Sequence, residues 1–92
     1  MTSAEYLAGF FDLLSVEPRV RILQLLKRKP ACVTELTSQL GISIQATSQH
    51  LRLLRNAGMV TNIKRGVYVY YLLEKKQFAR IQKAANELFK IE

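Results

Sequence analysis

The chain has 92 residues, which is enough for one domain and leaves no room for a second core. Hydrophobic residues make up 49% and charged residues 23%, a balance typical of a folded globule and not of a disordered tail. No apolar run approaches the roughly 20 residues that a transmembrane helix needs. The single cysteine, Cys32, excludes an internal disulfide and fits a reducing compartment. Glu5 and Asp12 interrupt the layout of a secretory signal, so we expect a cytoplasmic protein.

The basic residues are unevenly distributed. Fourteen Lys and Arg residues against seven Asp and Glu give a formal net charge of +7. No acidic residue lies between Glu35 and Glu74. A polyanion is therefore the expected partner of the middle of the chain, and nucleic acid is the commonest one. A charge that only keeps a small protein soluble is the alternative. The cations of this span are Arg52, Arg55, Lys64 and Arg65.

The first third of the chain predicts two helices. Residues 3–14 place large apolar side chains at helical spacing, with Ser3 as a candidate N-cap. They leave too little polar surface for a solvated face, so we expect part of this helix to pack on another chain. Ser15 is a candidate cap for the second helix, which tolerates Pro18 in its first turn and stops at Pro30. Its expected core residues are Val20, Ile22, Leu23 and Leu26.

Residues 34–57 have the pattern of a helix-turn-helix. Thr34 is a candidate N-cap of a short helix that Gly41 ends. Ser43 suits the N-cap of the next helix, and Gly58 suits the left-handed position past its end. Two helices joined by so short a link, with glycine at the bend, predict this motif. The expected core residues of the first helix are Leu36 and Leu40.

The second helix of the pair has two unlike faces. Steps of three and four residues from Leu51 define an apolar stripe that also contains Ile44, Thr47 and Leu54. The opposite face is short or hydrogen-bonding and never acidic. Such a face suits the major groove of DNA, whose base edges present donors and acceptors. Its residues are Gln45, Ala46, Gln49, Arg52 and Asn56.

Residues 60–73 predict a β-hairpin, because the apolar period changes there from 3.6 to about two. The pair Arg65-Gly66 is the expected turn, since glycine adopts positive φ without strain. One face of the hairpin is expected to cover the helices. Lys64 and Arg65 near the tip make it a candidate wing, which would contact the phosphate backbone or the minor groove.

The last segment, residues 75–92, predicts a helix whose apolar side chains recur at steps of three and four. So small a domain offers this stripe few partners. We therefore expect residues 1–14 and 75–92 to form a homodimer about a two-fold axis. The candidate dimerisation residues are Leu7, Phe10, Phe11, Leu14, Phe78, Ile81, Ala85 and Leu88.

These elements describe one winged helix-turn-helix domain over residues 1–92, mainly α with a β-hairpin wing (α+β), in the order α-α-α-α-β-β-α. We expect no enzyme, because no nucleophile lies at a meaningful spacing from a base and no glycine-rich phosphate loop is present. A winged-helix module for protein interaction, or for non-specific DNA binding without an effector, is the alternative that these patterns leave open.

The motifs resemble those of the ArsR/SmtB family of winged-helix repressors. They are TEL at 34–36, SQHL at 48–51, AGMV at 57–60 and YVYY at 68–71. The resemblance implies a symmetric homodimeric repressor of transcription that binds a partly palindromic operator in double-stranded DNA. It implies DNA contacts from the helix beginning at Ser43 and from the wing. The candidate DNA-binding residues are Ser43, Gln45, Ala46, Ser48, Gln49, Arg52, Lys64 and Arg65.

The chain departs from that family at its sensor positions. Many relatives bind metal through a Cys-x-Cys pair, where this chain has Cys32 and Thr34, and the last helix has no His or Asp. We therefore expect no metal site and no cofactor, and a structural or DNA-proximal role for His50. Cys32 keeps two interpretations: a part-buried thiol at a helix start, or a redox switch whose thiolate the cations of residues 27–29 would stabilise. Thr47 replaces a more usual apolar residue, which predicts capping or a bond back to the preceding turn.

Overall fold

The computed structural model describes all residues 1–92. It confirms a mainly α winged helix with a hairpin wing. The helices are α1 (Ser3–Leu13), α2 (Glu17–Arg28), α3 (Val33–Leu40), α4 (Ile44–Asn56) and α5 (Lys75–Phe89), and the strands are β1 (Ala31–Cys32), β2 (Val60–Arg65) and β3 (Tyr68–Leu73). None of the helices has both the length and the apolar character that crossing a bilayer requires.

Strand β1 is absent from the expected order and lies between α2 and α3. It makes the sheet three-stranded and antiparallel, in the order β1-β3-β2. Ala31 pairs with Tyr71 and Cys32 with Tyr70. Two residues are too few to show an alternating pattern, so the sequence carried no signal for this strand. Its pairing ties the base of the wing to the start of the helix-turn-helix.

The core lies where α2, α3 and α4 meet the sheet. Ile22, Leu36, Leu51 and Leu54 are each at most 1% exposed, as their helical spacing predicted. Val20 is only half-buried, on the flank of α2. Around the buried side chains lie half-buried ones from several elements, including Tyr71 and Leu73 of β3 and Phe78 and Ile81 of α5. The core is therefore shared by α2 and the two helices of the helix-turn-helix.

Three predicted N-caps are wrong. Thr2, not Ser3, caps α1, through a reciprocal pair of hydrogen bonds with Glu5. Ser15 donates from Oγ to the backbone oxygen of Asp12 and so closes α1 instead of capping α2. Thr34 lies inside α3, because pairing of Cys32 in β1 starts that helix two residues earlier than a cap at Thr34 would. Thr2 can cap as Ser3 can, whereas Val16 is a poor capping residue that the path of the chain, and not its side chain, places at the N-cap of α2.

The glycine-marked breaks lie close to where they were predicted. Gly41 ends α3 with φ 70° in the left-handed region. The hairpin turn is displaced by one residue, because Arg65 pairs with Tyr68 in the ladder and leaves Gly66 and Val67 as the connection. Gly66 has φ 62°, so it supplies the positive φ that was predicted for the hairpin turn.

Candidate nucleic-acid interface

Helix α4 presents the predicted polar face to solvent. Gln45, Ser48, Gln49 and Arg52 are exposed, and Ala46 is half-buried. Ser43 caps the helix as expected, since its Oγ accepts from the backbone N of Ala46 at 3.0 Å. The exposed residues carry amide, hydroxyl and guanidinium groups, which match the donors and acceptors on base edges.

The buried face of α4 differs from the prediction at its first turn. Ile44 is 50% exposed, so the stripe that anchors the helix begins at Thr47. Thr47 is fully buried and bonds back to its own turn, donating from Oγ1 to the backbone oxygen of Ser43 at 2.9 Å. The same Oγ1 accepts from Oγ1 of Thr37 at 2.8 Å. A chain of two hydrogen bonds thus joins the two helices of the motif and satisfies the buried hydroxyl.

Two of the candidate DNA contacts are bonded to one another. Nη2 of Arg52 donates to Oε1 of Gln49, one helical turn away. Because the acceptor end of the Gln49 amide is engaged, the pair presents mainly N–H donors to solvent. Gln45 has no such partner and keeps both its donor and its acceptor free.

His50 lies on the half-buried flank of α4, and sequence reasoning missed its partner. Its Nδ1 accepts from Nε of Arg19 at 3.2 Å. Burial, reinforced by the positive charge of Arg19, lowers the pKa of His50 below the ordinary histidine value. The imidazole is therefore neutral at physiological pH. Arg19 lies 31 residues away in the sequence, so no local pattern pointed to the pair.

The wing is exposed on both faces near its tip. Lys64 and Arg65 are exposed at the end of β2, as the prediction required. Val67 is 87% exposed at the turn, and Tyr68 is also largely exposed beside Tyr70, with ring centroids 6.4 Å apart. The expectation that one face covers the helices is correct only at the base of the hairpin, where Tyr71 and Leu73 pack on the core.

The candidate dimerisation residues fall into two groups. Leu7 and Phe10 are 6% and 8% exposed, so their own protomer already buries them. Phe11 and Leu88 are 43% and 54% exposed, and Phe89, next to the predicted stripe, is 69% exposed. The rings of Phe11 and Phe89 lie 6.4 Å apart between centroids, which brings α1 and α5 into one apolar surface. The half-buried remainder comprises Leu14, Phe78, Ile81 and Ala85.

Cys32 is buried and caps α3. Its backbone N and its Sγ both donate to Oε1 of Glu35, each at 3.2 Å, and Sγ lies 3.1 Å from Oγ1 of Thr34. The bonds from Cys32 hold the pKa of Glu35 below its ordinary value. One thiol beside one carboxylate does not fit a closed soft-metal site, which uses several sulfur or nitrogen ligands. No group of three His, Cys, Asp or Glu side chains converges anywhere in the chain.

Sequence comparison places the chain among bacterial regulators. Residues 17–62 match the family model described as bacterial regulatory protein, arsR family. The cadmium resistance transcriptional regulatory protein CadC of Listeria innocua is 35% identical over 68 residues, covering 73% of this chain and 57% of that protein. The transcriptional repressor SmtB homolog of Synechocystis sp. is 34% identical over 73 residues, covering 79% of this chain and 55% of its own length. The chain thus spans little more than half of these relatives.

Solved structures agree with the fold. The crystal structure of a possible transcriptional regulator for arsenical resistance superposes with a TM-score of 0.80 at 31% identity, covering 88% of this chain and 84% of that one. The superposition thus covers more of this chain than the residues 17–62 matched by the family model.

Proposed function

Because this chain belongs to the ArsR family of bacterial regulatory proteins, we propose that it is a homodimeric transcriptional repressor that binds a specific operator in double-stranded DNA. The relatives named above are transcriptional regulators or repressors by name. The protein is then a cytoplasmic DNA-binding protein, and the contacts with DNA come from α4 and the wing.

The observation that carries this proposal is the exposed, acid-free polar face of α4. A packing helix would bury these side chains, yet Gln45, Gln49 and Arg52 face solvent while Leu51 and Leu54 anchor the opposite side. Helix α4 continues into β2 through Ala57, Gly58 and Met59, so the wing directly follows the proposed recognition helix in the chain. Phosphate contacts from Lys64 and Arg65 would then set the register of the base contacts.

The hydrogen bond between Arg52 and Gln49 suggests which base edges are read. A unit that presents N–H donors favours neighbouring acceptors, and guanine offers O6 and N7 in the major groove. Gln45 retains the paired donor and acceptor that suit adenine. We expect each half-site to contain a guanine opposite Arg52 and Gln49.

Dimerisation supports this function, because two copies of α4 are needed to read a partly palindromic site. The apolar surface formed by Phe11, Leu88 and Phe89 is the part of the terminal helices that a single protomer leaves open. A second copy would cover it and would bring the two α4 helices to one side of the duplex.

Selection of bound duplexes from a random pool tests the proposal. We expect a two-fold motif with a fixed separation of about one helical turn between half-sites. Affinity for that motif should fall steeply with salt, because phosphate neutralisation releases counterions. Binding that is equal on all sequences would leave only a non-specific DNA-binding module, and no binding in dilute buffer would leave a protein-interaction module.

Replacement of one base-reading residue sharpens the test. Gln49→Ala should cost roughly 1–3 kcal/mol on the selected motif and relax the preference at one position. Gln24→Ala is the matched control, since Gln24 is an exposed glutamine of α2 that lies outside the candidate DNA-binding face. An equal loss on every sequence would show that Gln49 does not read a base.

A further inference from the structure

One guanidinium connects three helices behind the candidate DNA-binding face. Arg19 lies in the first turn of α2, where its Nη1 donates to the backbone oxygen of Leu13, at the end of α1, at 3.1 Å. Its Nε donates to Nδ1 of His50 in α4, the hydrogen bond that joins α2 to α4. Arg19 takes part in no ion pair, since the one salt bridge of the protein joins Arg21 to Glu17. Arg19 is therefore held by hydrogen bonds to neutral acceptors and not by an ion pair with a carboxylate.

His50 lies on the flank of α4 that faces α1 and α2. The same flank, at helical spacing, carries Leu53 and Ala57, which line a cleft together with Arg19 and with Phe10 of α1. The neighbouring residue in sequence, Gln49, points to solvent. Any rotation of α4 about its axis would therefore change both the contact with Arg19 and the direction of the base-reading side chain.

The hydrogen bond requires a neutral imidazole. Nδ1 accepts only when the ring proton is on Nε2, whereas a protonated histidine donates from both nitrogens. The guanidinium keeps its charge throughout the physiological range. Protonation of His50 would thus replace an attractive contact with two adjacent cations.

No nearby carboxylate offsets that repulsion. On α1, Glu5 and Asp12 line the cleft with Arg19, but neither comes within salt-bridge distance of it. Helix α2 contributes Arg19 itself and Glu17, whose carboxylate pairs with Arg21 and not with Arg19. Helix α4 adds the cations Arg52 and Arg55. The effect of protonation is therefore set by Arg19.

We propose that Arg19 and His50 are positioning residues: their hydrogen bond fixes the orientation of α4 against the corner of α1 and α2, and protonation of His50 releases it. This inference rests on the proposed function, because the oriented helix is the one that reads DNA. Since α1 also belongs to the proposed dimer surface, Arg19 connects that surface to the recognition helix. Acidification then weakens operator binding although no DNA-contacting residue titrates.

Operator affinity measured between about pH 7.5 and pH 5.5 at constant ionic strength tests the proposal. The wild type should lose affinity over this range by a factor below about ten, because a histidine whose pKa lies under about 6.5 limits how far protonation can oppose binding at pH 5.5. His50→Gln keeps an acceptor for Arg19 without a titrating proton, so it should bind nearly as well at pH 7.5 and show a flat profile. Arg19→Lys keeps the charge but loses the forked geometry, so it should bind weakly at both pH values. A wild-type fall that persists in His50→Gln would overturn the proposal.

A second measurement needs no DNA. The chain contains one histidine, so its imidazole gives one NMR titration curve. The pKa of His50 should lie below the ordinary value of about 6.5 and should rise in Arg19→Gln. The amide signals of Gln45 and Gln49 should shift with the same midpoint. Amides that stay unchanged would refute the positioning role, whereas shifted amides in a protein that ignores DNA would refute only the proposed function.

Protonation of His50 should also change the stability of the protein without DNA, in a direction that its pKa determines. The pKa of His50 is lower in the folded chain than in the unfolded chain, so the unfolded state takes up the proton first. The free energy of unfolding should therefore fall as the pH drops from about 6.5 towards the pKa of the folded state. His50→Gln should remove this part of the pH dependence, and its persistence would assign the dependence to other groups.

Discussion

Helices α4 and α5 are both amphipathic and of similar length, with 13 and 15 residues, yet they pack very differently. Helix α4 buries Thr47, Leu51 and Leu54 within its own protomer. Helix α5 buries no residue to the same degree, although its apolar stripe is as regular. An apolar stripe therefore indicates that a helix packs, but the depth of burial shows whether its partner lies in the same chain.

The largest expected effect is on stability and comes from α4, the helix that packs within its own protomer. Leu54→Ala removes a side chain with 0% exposure and leaves a cavity among well-packed neighbours. We expect a loss of about 2–5 kcal/mol in the free energy of unfolding, measured by urea denaturation. Leu88→Ala is the control, because Leu88 is 54% exposed in the protomer. Equal losses in both variants, at concentrations where the wild type is monomeric, would contradict the distinction between the two helices.

The second effect concerns association and not folding. Leu88→Glu combined with Phe89→Glu places two charges on the surface that we assign to the dimer. The dissociation constant of the dimer should rise by about a hundredfold or more, equivalent to about 2.7 kcal/mol, as measured by sedimentation. The circular dichroism of the protomer should not change. A dimer that forms normally would show that α5 is not the interface.

A smaller effect is expected from the buried hydroxyl of α4. Thr47→Val keeps the shape of the side chain but leaves Oγ1 of Thr37 without its acceptor. We expect a loss of about 1–2 kcal/mol in the free energy of unfolding, because the variant loses two hydrogen bonds and leaves the part-buried hydroxyl of Thr37 without its acceptor. Ser48→Ala, one residue along and exposed, should change stability by less than about 0.5 kcal/mol. A more stable Thr47→Val would mean that apolar packing outweighs the hydrogen bonds.

The smallest effect is at the cap of α4. Ser43→Ala removes the acceptor for the backbone N of Ala46 and should cost about 1 kcal/mol in thermal or urea unfolding. Ser38→Ala in α3 is a matched control, since Ser38 is exposed and caps no helix. If both variants were equally stable, the first turn of α4 would be held by the bonds of Thr47 and not by its cap.

The sequence predicted those features that repeat along the chain or are marked by glycine. The helix-turn-helix and the hairpin were located by the change in apolar period and by Gly41, Gly58 and Gly66. Strand β1 was missed because two residues have no period, although pairing with Tyr70 and Tyr71 fixes it in three dimensions. Ile44 was placed in the core because it fits the helical step, but half of its side chain is exposed at the start of α4.

The candidate site shows the same division between local and long-range information. Exposure of Gln45, Gln49 and Arg52 follows from the periodicity of a single helix. The Arg19–His50 bond does not, since it depends on how α2 crosses α4. Likewise, the sequence made Leu7 and Phe11 equally good candidates for the dimer surface. Only the packing of α1 on α5 shows that Leu7 is buried and Phe11 is exposed. Side-chain lists derived from one helix thus mix buried and exposed residues.

The order of the sheet has a consequence for the behaviour of concentrated protein. Strand β2 is an outer strand, so a row of its backbone amides and carbonyls faces away from β3. Such a row is a template for strand addition by a second molecule, and natural proteins guard it with charge. Lys64 and Arg65 lie at the end of this strand, where like charges keep two free wings apart. Polyanions that neutralise these cations without ordering the hairpin would be expected to promote aggregation through the wing.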